Sequence, residues 1–104
     1  MKMLQQGDVK IYRIKDIPKN ANKIEKDKKV LAWGEVTGHK HQLICDDKDI
    51  VSYELNGIKY VTINYDTPLK HEEHKEIILP AGTYEVRIAQ EYDHFAEESR
   101  EVQD

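Results

Sequence analysis

Val51-Ser52-Tyr53-Glu54-Leu55-Asn56-Gly57-Ile58-Lys59-Tyr60-Val61-Thr62 is the stretch that decides the fold class. Two runs rich in β-branched and aromatic residues flank Asn56-Gly57. A two-residue type I′ turn needs positive φ at both central positions, which Asn-Gly supplies at little cost. The short loop sets the register: Leu55 lies opposite Ile58, Glu54 opposite Lys59, and Tyr53 opposite Tyr60. One face of this hairpin is then apolar and aromatic. The other carries an opposite-charge pair, and each such cross-strand pair contributes ~0.2–1 kcal/mol.

Outward from the hairpin, the same pattern repeats. Val9 to Ile14 and Val30 to Val36 read as strands. Pro18, Asn20 and Asn22 interrupt the segment between them, so Lys15 to Lys29 is expected to be a polar, lysine-rich loop. Gly38 marks a break, after which His39 to Cys45 continues as a strand with His39, His41, Leu43 and Cys45 on one face. Asp46 to Asp49 is a polar turn. Thr67-Pro68 ends the hairpin's second strand, and Leu69 to Lys75 is a connection. Glu76 to Leu79 is a short strand, and Pro80-Ala81-Gly82 a tight turn. From Thr83 to Tyr92, Tyr84, Val86 and Ile88 alternate with Thr83, Glu85 and Arg87, as in a strand with one wet face. A short C-terminal helix is expected from Phe95 to Val102. Six or seven short strands with closely spaced turn signals predict a small antiparallel β-sandwich or barrel.

The chain has 104 residues, enough for one domain, 1–104. Hydrophobic residues make up 38% and charged residues 35%, and no apolar run is long enough to span a bilayer, so no membrane role is expected. Residues 1–8 show no signal-peptide pattern. Cys45 is the single cysteine, so no internal disulfide can form and a cytoplasmic location is expected. The net charge of −4 argues against generic nucleic-acid binding. The lysines of 15–29 and the acidic tail 93–104 read as solvated segments.

Four of the five histidines fall into two groups, Gly38-His39-Lys40-His41 and His71-Glu72-Glu73-His74. His39 and His41 are two apart, so on a strand both imidazoles point the same way. His71 and His74 are three apart, which suits a turn, with Glu72 and Glu73 between them. Imidazole with carboxylate is the donor set of Zn, Mn, Fe and Ni sites. The candidate metal ligands or acid–base groups are therefore His39, His41, His71, His74, Glu72 and Glu73. Glu35 and Cys45 are weaker candidates, and Trp33 is assigned to core packing. The reading requires the two groups to meet in space. A convergent pocket holding one divalent metal would suit hydrolysis. The competing reading is a metal-free interaction or assembly protein, associating with itself through a sheet edge.

Gly34, His39 and His41, followed by Pro80 and Gly82, resemble the cupin pattern of an HxH pair and a later PxG. That resemblance implies His39 and His41 as ligands and puts Glu85 where the second motif carries histidine. More of the chain is similar to a family of small bacterial and phage proteins with no assigned activity. The similarity rests on Gly34-Glu35-Val36-Thr37-Gly38-His39-Lys40-His41, His71-Glu72-Glu73-His74, Ile78-Leu79-Pro80-Ala81-Gly82-Thr83-Tyr84-Glu85-Val86 and Gln90-Glu91-Tyr92. It implies that the two histidine groups belong together.

Overall fold

Asn56 and Gly57 adopt φ of 53° and 82°, the left-handed pair that a type I′ turn demands. The strands they join pair in the expected register, Leu55 with Ile58, Glu54 with Lys59 and Tyr53 with Tyr60. The computed structural model describes residues 3–34 and 38–88. Among them the strands are β1 (Met3–Gln6), β2 (Val9–Ile14), β3 (Asn22–Ile24), β4 (Val30–Trp33), β5 (Lys40–Leu43), β6 (Ile50–Leu55), β7 (Ile58–Ile63), β8 (Thr67–Lys70), β9 (Ile77–Leu79) and β10 (Gly82–Ile88). A single 3-10 turn covers Asp47–Asp49. No described helix is long and apolar enough to cross a membrane.

All strand pairs are antiparallel. One sheet runs β1-β2-β10-β7-β6-β3 and the other β4-β5-β8-β9. The inner side of the large sheet follows from its register. Val9 and Ile11 of β2, Tyr84 and Val86 of β10, Val61 and Ile63 of β7, and Ile50 of β6 share one face and are buried. They pack in one cluster with Leu31, Ala32, Leu43, Leu69 and Leu79 of the small sheet. The two sheets thus share one core. The alternation expected along β10 holds through Arg87, with Tyr84 and Val86 buried and Arg87 exposed, but Ile88, expected on the buried side, is exposed, and the expected continuation to Tyr92 lies outside the described residues.

Three strands were not expected, bringing the described total to ten instead of six or seven. β1 is short and polar. β3 is a three-residue edge strand paired with β6 inside the segment expected to be all loop. β8 contains Pro68, which signalled an end. Pro68 is accommodated because its backbone faces the end of β5, where its carbonyl accepts from the Ile44 N–H at 3.0 Å; its missing N–H costs a rung at a margin, not in mid-ladder. The expected helix over 95–102 lies outside the described residues, as do Glu35 and the acidic tail.

Two side chains depart from expectation. Trp33 is 60% exposed, outside the core. It pairs with Lys40 across β4–β5, and the Lys40 ammonium sits 5.5 Å from its ring centroid. Lys59 lies on the inner side of the hairpin, in line with Val61 and Ile63. Its Nζ does not pair with Glu54 but donates to the carbonyls of Val30 and Asp27. Burial pushes the ammonium down to about 8. The Lys59 head thereby ties the turn that precedes β4 to the hairpin.

A Cβ on Gly57 would meet nothing within 4 Å, so the cost of Gly57→Ala is conformational alone. We expect a loss of about 1–2 kcal/mol in urea denaturation with an unchanged m-value. An unchanged midpoint would contradict the turn assignment.

Candidate functional site

The strand parity of β5 sends His41 and Leu43 to the inner side, where both are buried. Cys45 packs partly against the same core. His39 precedes the strand and closes the β4–β5 connection through its carbonyl, which accepts from the Gly34 N–H at 2.9 Å. The second histidine segment forms the bends that follow β8. Antiparallel pairing of β5 with β8, Gln42 opposite Lys70, brings this segment alongside the start of β5. The Lys40 backbone N–H then donates to Glu72 Oε1 at 3.0 Å.

The two segments meet. Ring centroids are 5.6 Å apart for His39 and His71, 4.2 Å for His41 and His71, 4.6 Å for His71 and His74, and 5.8 Å for His41 and His74. His39, His71 and Glu72 each offer a ligand atom within 4.8 Å of the others. Glu73 Oε2 lies 3.8 Å from His39 Nδ1. A cleft of about 230 Å³, lined by Lys40, Gln42, Ile44, Lys70, His71 and Glu72, opens beside the cluster.

A residue that sequence reasoning missed holds this arrangement. Gln6, at the end of β1, is 3% exposed. Its register partner Val9 is a core residue, so Gln6 projects between the sheets. Its side-chain nitrogen donates to the carbonyls of Leu69 at 2.8 Å and Lys75 at 2.9 Å, one on each side of the second histidine segment. Its oxygen lies 2.8 Å from His41 Nδ1. Next to it, Gly7 has φ of +58°, and a Cβ there would fall 2.5 Å from His74 Nε2. The β1–β2 turn therefore forms a wall of the cluster, and glycine leaves room for the imidazole. Nothing in Gln5-Gln6-Gly7-Asp8 beyond the turn signal marks these residues, because their partners lie up to 69 positions away.

Electrostatics follow from this packing. Burial, then the charges of His71 and His74, push His41 down to about 4, against the opposing pull of Asp8 and Glu72. The N–H of Lys40 holds the Glu72 carboxyl below its ordinary range. His41 is thus neutral near pH 7, in the same cluster as an ionised Glu72 carboxylate.

Not every candidate converges. Cys45, its thiol pushed up by burial, is not in the group of converging ligand atoms. Glu85, placed in the ligand position by the cupin outline, engages Arg87 on its own strand. Glu85 is likewise absent from that group among the described residues.

A family model matches residues 5–89. The chain belongs to the family described as Domain of unknown function (DUF8820). The DUF8820 match spans Gln6, both histidine segments and all of β10, and it stops before the acidic tail. No curated protein and no solved structure matches the chain.

The depressed His41 value sets a pH dependence for the metal-free DUF8820 domain. As pH falls, the unfolded chain protonates His41 near 6.5 while the folded chain resists until about 4. The His41 share of stability is therefore full above pH 6.5 and is lost between there and pH 4, on the order of 2–3 kcal/mol. Urea midpoints in EDTA at pH 7 and pH 4.5 should differ more for wild type than for His41→Gln. Equal differences would contradict the assignment.

Proposed function

We propose that this domain binds one divalent transition-metal ion, with His39, His71 and Glu72 as ligands and His74 and Glu73 beside them. The observation that carries the reading is the approach of ligand atoms from these three residues to within 4.8 Å of one another. Two imidazoles on one ion, with Zn–N bonds near ~2.1 Å, have ring centroids about 4.5–5.2 Å apart. The His39 and His71 rings, at 5.6 Å, stand a few tenths of an ångström beyond that range, so a small inward shift would bring both onto one ion. Burial, then the charges of His71 and His74, favours the neutral, lone-pair form of His41, and Glu72 contributes negative charge. Nitrogen and oxygen donors without thiolate suit Zn, Mn, Fe or Ni. Three protein ligands leave a coordination position for water, so the catalytic class such a site supports is hydrolysis. We read the two sheets as the layers of a small sandwich and the protein as a cytoplasmic one of bacterial or phage origin.

A second reading, a metal-free interaction protein, is favoured by one surface. Trp33, Ile44 and Ile78 are 60%, 46% and 49% exposed. Register puts Trp33 and Ile78 on the outer face of the small sheet, opposite His41 and Leu69. Self-association through this face would appear as a dimer in light scattering that Trp33→Ser and Ile78→Ser abolish.

The metal reading is tested on protein purified without a His tag and stripped with EDTA. Zn, Mn, Ni or Fe(II) at 100 times Kd should raise stability by about 2.7 kcal/mol, read as a rise in Tm. The paired change His39→Ala/His71→Ala should abolish the rise while the variant still unfolds cooperatively. No rise in wild type with any of these ions would overturn the reading.

A further inference from the structure

Hydrogen bonding orients the Gln6 amide unambiguously. One of its terminal atoms lies 2.8 Å and 2.9 Å from two backbone carbonyls, Leu69 O and Lys75 O. Carbonyls only accept, so that atom is the –NH2, which has two protons to give. The other terminal atom is then the oxygen, and it sits 2.8 Å from His41 Nδ1. An amide oxygen only accepts, so Nδ1 carries the proton. A neutral imidazole has one ring proton, which leaves Nε2 with a bare lone pair.

We infer that His41 is a further ligand of the cation site, held by Gln6 in the Nδ1–H tautomer so that Nε2 is its donor atom. The inference rests on the metal reading above and extends it to a residue outside the group of three. His41 is 5% exposed, and its ring lies against those of His71 and His74. Gln6 is the positioning residue. It acts on the ion through His41, as the outer partner of a ligating imidazole does when it sets tautomer and ring orientation.

His71 shows why this matters. The Glu73 N–H donates to His71 Nδ1 at 3.0 Å, so the lone pair of neutral His71 faces its own backbone and Nε2 carries the proton. Binding an ion through Nε2 would move that proton to Nδ1, opposite a second N–H. Binding through Nδ1 would displace the Glu73 bond. Either route reshapes the bend over residues 71–73. His41 needs no such change, since its outer nitrogen is satisfied by Gln6 and its other nitrogen has no hydrogen-bond partner among the described residues. His41 is therefore the pre-organised donor, and the bend at His71 to Glu73 adjusts when the ion arrives.

The test is long-range 1H–15N NMR of the imidazoles in the full chain at pH 7.5, with and without Zn2+. Wild type should show His41 protonated at Nδ1 before metal is added, and Zn2+ should shift His41 Nε2 together with His39 and His71. Gln6→Leu should redistribute the His41 tautomers and weaken Zn2+ binding about 10–100-fold. A metal-free His41 protonated at Nε2 overturns the inference. So does Zn2+ that shifts His39 and His71 while leaving His41 unmoved, an outcome that spares the metal reading. If no imidazole responds to Zn2+, the metal reading falls, and His41 as a ligand falls with it.

Discussion

One buried amide links both sheets and both histidine segments. Gln6 projects from the edge strand of the large sheet into the space between the layers and uses both of its donors and its acceptor oxygen there. Its two donors hold the carbonyls of Leu69 and Lys75, which bound the bend carrying His71 to His74. Its acceptor holds His41 of the small sheet. A buried polar group is tolerated only when it is satisfied, and a satisfied one specifies a single arrangement of its partners. Remove Gln6, and two carbonyls and an imidazole N–H lose their partner together.

The rest of the cluster is consistent with that constraint. With the ends of the bend held, Glu72 reaches the Lys40 N–H and His71 lies against His41. Gly7, adjacent to Gln6, leaves the space that His74 fills. The fold uses the same device in the β6–β7 hairpin, where Lys59 and Ser52 satisfy the carbonyls of the turn before β4. In both places a polar side chain from the large sheet ties down irregular backbone leading into or out of a small-sheet strand. The core between them is apolar and supplies the bulk of the burial.

Much of this was legible from local pattern. The Asn56-Gly57 turn set a register that holds pair for pair, because a two-residue loop leaves the strands no freedom to slip. Period-two alternation placed His41 with Leu43 on one face of β5 and Tyr84 with Val86 on one face of β10, since pleating is a local property. What was not legible depends on partners distant in sequence. β1 and β3 are strands because a neighbouring edge pairs with them, not because of their own composition. Pro68 stays within a strand because β5 ends beside it. Trp33 was assigned inward by residue type, yet the register pairs it with Lys40 and turns both outward. The histidine groups were visible as candidates from residue type and spacing, but their meeting depends on β5 pairing with β8 and on Gln6, whose role no nearby residue announces.

On the proposed reading, these two segments form one cation pocket of imidazole and carboxylate donors, with Cys45 apart from it. Zinc K-edge X-ray absorption of the Zn-loaded protein tests it most directly. The expected result is a nitrogen and oxygen shell near ~2.0–2.1 Å with imidazole outer-shell scattering. A sulfur contribution near ~2.3 Å, or a shell of water oxygens without imidazole scattering, would contradict it.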